Sequence, residues 1–434
     1  NMHILRSKRF TLRNQSTTVI STFLDHIDAC PTAHHVVDRA SSFLHQSGIN
    51  QVALDSGFTT EHLRKGFVSA GGTIIAWKNA QSISANGMRI VGAHTDSPGL
   101  HIKPNPDTRT LNLHQLQVEV YGGPLLNSWL DRDLGIAGHV VLRDGSTSLF
   151  TSQHPVARIP QLAIHLDREV NDKGLILNRH QHLSPIWATT ASSVPFESWL
   201  AQQVSVSGSQ IASWSAQLID TQRAQIIGRD SEFVASSRID NQISCWAALS
   251  ALLEVDSNQP MMIALFDHEE VGSQSTQGAG GPMLEHVLER LAVAAGSSRS
   301  DHLVSLQKSH CVSADNAHAV HPNYVDRHEL NNAPFVNEGV VVKSNVSQRY
   351  ATSPKSLVPI VHAAATAGVN LQTFSSRNNI ACGSTIGPIT ATRIGIETVD
   401  IGVPQLSMHS IREMCGTKDP VDLVALLSAY FSRA

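Results

Sequence analysis

The run Met261-Met-Ile-Ala-Leu-Phe266, followed at once by Asp267-His-Glu-Glu270, decides the architecture. Six apolar residues with no polar alternate suit a strand buried on both faces. Such strands belong to parallel sheets covered by helices. The abrupt change to polar, metal-capable side chains puts a loop at the strand's carboxyl end, where open α/β sheets bind their ligands. Working outward, three further runs stop in the same way. Ile90-Val-Gly-Ala ends at His94-Thr-Asp96, and Cys311-Val-Ser-Ala ends at Asp315-Asn-Ala-His318. Val399-Asp-Ile-Gly-Val leads, after a short link, to Met408-His409-Ser410. Asp240 stands at a natural N-cap position before a helix expected over 243–255. One crevice can therefore collect His94, Asp240, Glu269, Glu270, Asp315 and His409.

Around these runs, residues 73–77 and 88–93 read as strands, and 283–295 and 354–367 as helices. Residues 16–48 read as two amphipathic helices parted by Pro31. From about 98 to 235 helical periodicity is scarce. Leu116, Val118 and Val120 alternate with polar residues, and Asp144-Gly145 after Gly138-His-Val-Val-Leu marks a hairpin. The expectation is an α/β fold, discontinuous over 1–97 and 236–434, interrupted by a β-rich insertion over 98–235.

Composition narrows the function. Net charge is −4, from 32 basic and 36 acidic residues, which disfavours a general nucleic-acid binder or a polybasic membrane anchor. No apolar run reaches the roughly 18–20 residues of a membrane-spanning helix. Five cysteines, widely spaced and without a CxxC, argue against a disulfide framework and for a reducing, cytoplasmic setting. The N-terminus lacks the apolar core of a signal peptide, and Met2 is the expected native start.

Taken singly, each strand-end residue has a bland reading. A lone histidine after a strand is usually a hydrogen-bonded loop residue, Asp240 a cap, Asp315-Asn316 a turn, and Glu269-Glu270 a solvated pair. Together they describe an inorganic site. Two divalent cations bring four positive charges, which three carboxylates and one hydroxide between them cancel. Two neutral histidines add nitrogen donors suited to zinc. One Asp must bridge the ions, and a further carboxylate must take a proton from the water between them. Glu269 beside Glu270 suits that split of duties. Asp96 can accept the other ring N–H of a histidine. Other chemistries lack their motifs: there is no HExxH, GxxxxGK[ST] or GxSxG, and Gly278-Ala-Gly280 lacks the third glycine of GxGxxG.

The segments Gly92-Ala-His94-Thr-Asp96-Ser-Pro98, Ser237-Arg-Ile-Asp240-Asn241, Phe266-Asp-His-Glu-Glu270-Val-Gly-Ser273, Ser313-Ala-Asp315-Asn-Ala-His318 and Met408-His409-Ser410 resemble the aspartyl aminopeptidase family of dinuclear zinc exopeptidases. Asn127-Ser-Trp-Leu-Asp131-Arg132, Ile159-Pro-Gln-Leu-Ala-Ile-His165-Leu, Gln348-Arg-Tyr350-Ala-Thr and Gly383-Ser-Thr385 extend the match in order along most of the chain. The family pattern has Asn where His268 stands, a small departure that leaves the ligand positions intact.

The resemblance implies a zinc-exopeptidase-like mixed sheet covered by helices and interrupted by a β-rich dimerisation domain. It implies two zinc ions per subunit, with cobalt or manganese as substitutes, held by His94, Asp240, Glu270, Asp315 and His409, with Asp240 bridging. Glu269 is then the general base. His165 is expected to enter a neighbouring subunit's active site, although its surroundings alone read equally well as a buried strand. The substrate is implied to be a peptide with a free N-terminus, preferably Asp or Glu, with Lys343 as cationic partner. Without the family, Lys343 reads as a solvated edge-strand lysine. Tyr350, Met408 and Gly383 join the pocket, and the assembly is implied to be a tetrahedral dodecamer built from dimers. The alternatives are a dimetal exopeptidase of broad or apolar preference, a phosphoesterase using the same paired metals, and a catalytically silent assembly protein on the same fold.

Overall fold

The structure, a computed structural model, describes residues 19–192 and 194–432. Nineteen strands run through these residues in chain order. Before the insertion come β1 (Lys65–Ala70), β2 (Thr73–Lys78) and β3 (Arg89–His94). The expected insertion holds β4 (Gly99–Thr110), β5 (Leu113–Tyr121), β6 (Leu134–Leu142), β7 (Thr147–Thr151), β8 (Ile186–Thr189) and β9 (Ile211–Asp220), then β10 (Gln225–Ile227) and β11 (Phe233–Ser236). The rest are β12 (Met261–Phe266), β13 (His310–Ala314), β14 (Ala317–His318), β15 (Val340–Lys343), β16 (Leu371–Phe374), β17 (Glu397–Gly402), β18 (Pro404–Leu406) and β19 (Glu413–Gly416).

The main sheet has the order β1-β2-β12-β3-β13-β17-β15-β16. Its centre, β12-β3-β13-β17, is parallel, while β2 meets β12 and β15 meets β17 antiparallel, so the sheet is mixed. β12 is buried along its whole length. Met261, Ile263 and Leu265 point into a core shared with the helices Ile239–Glu254 and Asp419–Ser432. Met262, Ala264 and Phe266 point into the opposite core, against Leu284, Val287, Leu288 and Leu291 of the helix Met283–Ala294. The strand's two-residue period thus feeds two cores, which is why an unbroken apolar run is required there. Burying one such side chain is worth about 1.5–3 kcal/mol, so the parallel centre contributes strongly to the stability of the fold.

The first expected helix spans residues 19–29, its start at 16–18 lying outside the described residues, and the second is Ala33–Gln46. The hairpin expected around Asp144-Gly145 is present as β6 and β7.

The six-stranded antiparallel sheet β7-β6-β9-β4-β5-β8 is different in kind. Along β5, His114, Leu116 and Val118 are buried and their neighbours are not. The buried face packs on Phe196 and Leu200 of the helix Phe196–Gln203 and on Trp129. β10 and β11 pair not with this sheet but with β19, in a small sheet of order β10-β11-β19-β18-β14. That small sheet frames the loop that carries His409.

Candidate metal centre

The four central parallel strands all point their carboxyl ends at one place. β3 ends on His94, β12 runs into Glu269–Glu270, β13 into Asp315, and the chain after β17 and β18 into His409. Asp240 comes from the start of the helix Ile239–Glu254, but it is not that helix's cap. The cap position is Arg238, and Asp240 and Asn241 themselves have non-helical backbone angles. Its carboxylate is turned between two histidines, which leaves it no oxygen to offer the helix amides.

The geometry is that of donor atoms spaced to share positive charge. His94 Nε2 lies 3.4 Å from Asp240 Oδ1 and 3.6 Å from Asp315 Oδ1. His409 Nε2 lies 3.5 Å from Asp240 Oδ2 and 3.4 Å from Glu270 Oε2. These spacings are long for charged hydrogen bonds. They fit donors each ~2.1 Å from a shared tetrahedral ion, which lie about 3.4 Å apart. His94, Asp240 and Asp315 form one group of potential ligands, and Asp240, Glu270 and His409 a second. Only Asp240 belongs to both. A third group joins His94, Glu269 and Glu270. Asp240 Oδ1 and Glu270 Oε1 are buried without a hydrogen-bond partner. A buried carboxylate oxygen left unpaired is costly, and a cation is the partner this donor set suits.

The electrostatics agree. Burial lowers an imidazole's pKa, yet Asp240, Asp315 and Asp96 outweigh burial and hold His94 well above its usual value. Against the same penalty, Asp240 and Glu270 push His409 up to about 10. Burial, then Asp240, pushes the Glu270 carboxyl well up. Burial pushes Glu269 up to about 7, with Asp315, Asp96 and Asp240 adding to it against the pull of His94. Burial would also raise Asp240, but the two histidines outweigh it and keep it ionised. Most of the cage is thus shifted toward holding extra positive charge, which two divalent ions supply without protons.

The loops that carry the candidate ligands are braced. His94 Nδ1 faces the Asp96 carbonyl at 3.0 Å, and the Asp96 carboxylate lies 3.5 Å away. The backbone carbonyl is therefore the closer partner, where the carboxylate was expected. The Asp96 carboxylate instead accepts the Glu269 and Glu270 backbone N–H groups, each at 3.1 Å. His409 Nδ1 donates to the Gly123 carbonyl at 3.1 Å, which leaves Nε2 for a metal. Glu413, absent from the sequence-based set, accepts the backbone N–H of both Asp240 (2.8 Å) and His409 (2.7 Å). Its spacing four residues after His409 was the one available signal. His268 has φ 63°, the left-handed conformation that asparagine adopts readily, so the Asn that the resemblance implies here would suit the backbone.

The remaining expected residues fall in four places. Lys343 is not a solvated edge lysine: β15 lies between β17 and β16, and the side chain is 1% exposed. Its ammonium sits 3.4 Å from Asp315 Oδ2, donates to the Asn316 carbonyl at 3.1 Å, and lies 5.1 Å above the Tyr350 ring. Tyr350 and Gly383 line a neighbouring cleft of about 210 Å³, together with His318, Arg327, Phe374 and Arg377. Met408 is half-buried in the turn before His409. His165 is apart from the cage. It sits in an exposed turn, not a buried strand, flanked by the exposed Leu162, Ile164 and Leu166.

The chain matches the family model described as aminopeptidase I zinc metalloprotease (M18) over residues 26–431. A probable M18 family aminopeptidase 2 of Streptomyces coelicolor is 44% identical over 422 residues, covering 95% of this chain and 97% of that one. Its namesake in Ectopseudomonas mendocina is 42% identical over 425 residues, covering 95% and 98%. Among solved structures, Ape4 in a complex with Nbr1 superimposes with a TM-score of 0.92 at 35% identity, over 96% of this chain and 86% of that one. The S. cerevisiae mApe1 dodecamer superimposes with a TM-score of 0.83 at 27% identity, over 96% and 97%.

Proposed function

The chain belongs to the M18 family of zinc aminopeptidases, and from that premise we propose that it removes single N-terminal residues, preferentially Asp or Glu, at a two-zinc centre. The observation that carries the two-metal reading is Asp240, whose two carboxylate oxygens face different sets of donors. His94 and Asp315 would hold one zinc, Glu270 and His409 the other, and Asp240 would serve both. When bound, zinc would supply Lewis acidity toward the scissile carbonyl, a site for the free α-amine and a water whose pKa is lowered toward about 7.

The chain's own residues do the rest. Glu269 takes a proton from the attacking water and delivers it to the leaving amine. Its carboxylate falls in one cluster of donors with His94 and Glu270, which supports that role. His165 of a neighbouring copy hydrogen-bonds the substrate carbonyl as negative charge develops on it. The exposed leucines and isoleucine beside His165 support burial of this turn against another chain. The assembly is a homo-oligomer, on the pattern of the tetrahedral dodecamer, with residues 98–235 as its dimerising unit and 1–97 with 236–434 as the catalytic one. Lys343 pairs with the acidic side chain of the substrate, and Tyr350, Met408 and Gly383 shape the pocket around it. The five cysteines are all free, which supports a reducing, cytoplasmic setting. Among the described residues no helix is long and apolar enough to cross a membrane.

The test is a panel of peptides differing in the first residue, free or N-acetylated, on protein of measured zinc content. Cleavage confined to free N-termini, fastest for Asp and Glu, is expected. Glu269→Gln should keep its zinc and lose about 10²–10⁴ in turnover. Near-normal turnover in that variant would remove Glu269 from the mechanism.

A further inference from the structure

β5 belongs to the antiparallel insertion, yet the chain leaving it crosses directly onto the metal cage. Three consecutive residues make the contact. The Tyr121 hydroxyl donates to Asp96 Oδ2 at 2.7 Å, the same carboxylate that holds the Glu269 and Glu270 amides. Gly122 has φ +67°, and a β-carbon there would lie 3.1 Å from Glu270 Cβ and 3.2 Å from the Glu270 carbonyl oxygen. The Gly123 carbonyl accepts from His409 Nδ1. The Tyr121 ring is held in turn by stacking on His101 of β4, with centroids 4.6 Å apart. Burial, with Asp96 next, keeps the phenol protonated and so a permanent donor.

We propose that the segment Tyr121–Gly123 is a positioning element for the metal cage. Tyr121 acts through Asp96 on the Glu269–Glu270 loop, and Gly123 sets the ring of His409. This rests on the reading of Glu269, Glu270 and His409 given above. The segment touches no expected substrate position and supplies no ligand. It fixes the orientation of groups that do, and the insertion thereby becomes part of the metal centre. Partners at this remove from a metal typically govern about 10–100-fold in affinity or activity.

The experiment uses the full-length protein loaded with zinc. Tyr121→Phe deletes one hydroxyl and keeps the ring on His101. It is expected to release zinc to a competing chelator at about tenfold lower chelator activity than the wild type. Its kcat should fall while KM stays within about twofold, because the substrate pocket is untouched. Asp96→Asn should weaken zinc binding at least as far, and the double variant should be no worse than Asp96→Asn alone, since both act along one path. A merely structural role for Tyr121 would make the two losses multiply. Gly122→Ala, which presses on Glu270 and leaves the hydroxyl in place, is the second arm should Tyr121→Phe fail to fold. Wild-type zinc retention and kcat in either variant would overturn the proposal, and multiplying losses would overturn the route through Asp96. A wild-type protein that binds no zinc would instead overturn the underlying reading.

Discussion

β12 and β5 arrive at the same cage by opposite means. β12 is buried on both faces and delivers Glu269 and Glu270 from the end of a strand locked between two cores. β5 is buried on one face and delivers no ligand, only the braces Tyr121, Gly122 and Gly123. Ligands must hold their spacing to within a few tenths of an ångström, and close-packed parallel strands provide that. Braces need only hold a loop or a ring, which a strand with one wet face can do. The division predicts a graded response: changes in the parallel centre should abolish the metal site, and changes in what surrounds it should retune it.

The largest effect belongs to Asp240, the one group common to both sets of donors. Asp240→Ala is expected to lose both zinc ions and to lower turnover by ~10³ or more, about 4 kcal/mol of barrier. His409→Ala, which belongs to one set, should lose one ion more readily than the other. Metal analysis after gel filtration measures both. Full two-zinc occupancy in Asp240→Ala would mean that the cage is not shared in this way. Glu269→Gln stands apart from both, since it should silence turnover at unchanged zinc.

This division also explains what could be read from the sequence. His94, Glu269, Glu270, Asp315 and His409 could be singled out as candidates because each follows an apolar run, and the structure does bring them to one place. Asp240 could be singled out as a candidate ligand but not for what it is locally, because an acid before a helix looks like a cap. Lys343 pointed the wrong way without the family: the sheet order that buries it between β17 and β16 leaves no mark in the four residues of β15. Tyr121 was not legible at all: its partner lies 25 residues away, and nothing local distinguishes a bracing hydroxyl from a surface one. Glu413 offered only its spacing four residues after His409, because its other partner, Asp240, lies 173 residues away. β10 and β11 were read with the insertion for a similar reason. A short β run carries no signal about which sheet it joins, and only pairing with β19 reveals it.

The next effect in size tests where the parallel centre gives way to the substrate pocket. Lys343→Met removes a buried ammonium that touches Asp315 on one side and Tyr350 on the other. If this ammonium reads the substrate's acidic side chain, the Asp-peptide to Leu-peptide ratio of kcat/KM should fall by about 10- to 100-fold, the worth of one charged hydrogen bond. Zinc content is the control, because Asp315 loses a partner as well. An unchanged ratio at full zinc would free Lys343 of the role.

The smallest effect concerns Asp400, which braces the pocket from within the main sheet as Tyr121 braces the cage from outside it. Asp400 sits in β17 with no solvent exposure. Its carboxylate accepts the Ala351 backbone N–H at 2.6 Å and the Thr385 hydroxyl at 2.5 Å. It thus ties the stretch holding Tyr350 to the stretch holding Gly383, both of which line the cleft. Its backbone N–H donates to Thr352, so the strand itself fixes the tie. Asp400→Asn keeps the shape but replaces one charged acceptor oxygen with a donor. One of the two bonds is then lost, at about 1 kcal/mol or somewhat more. Loosening the cleft without moving the cage should raise KM for acidic peptides by up to about tenfold, with kcat and zinc retention near wild type. The opposite split, a fall in kcat and zinc retention at constant KM, is the signature expected of Tyr121→Phe. Finding it in Asp400→Asn would place that residue's influence on the metal ligands and erase the distinction between a pocket braced by a buried strand and a cage braced by the insertion.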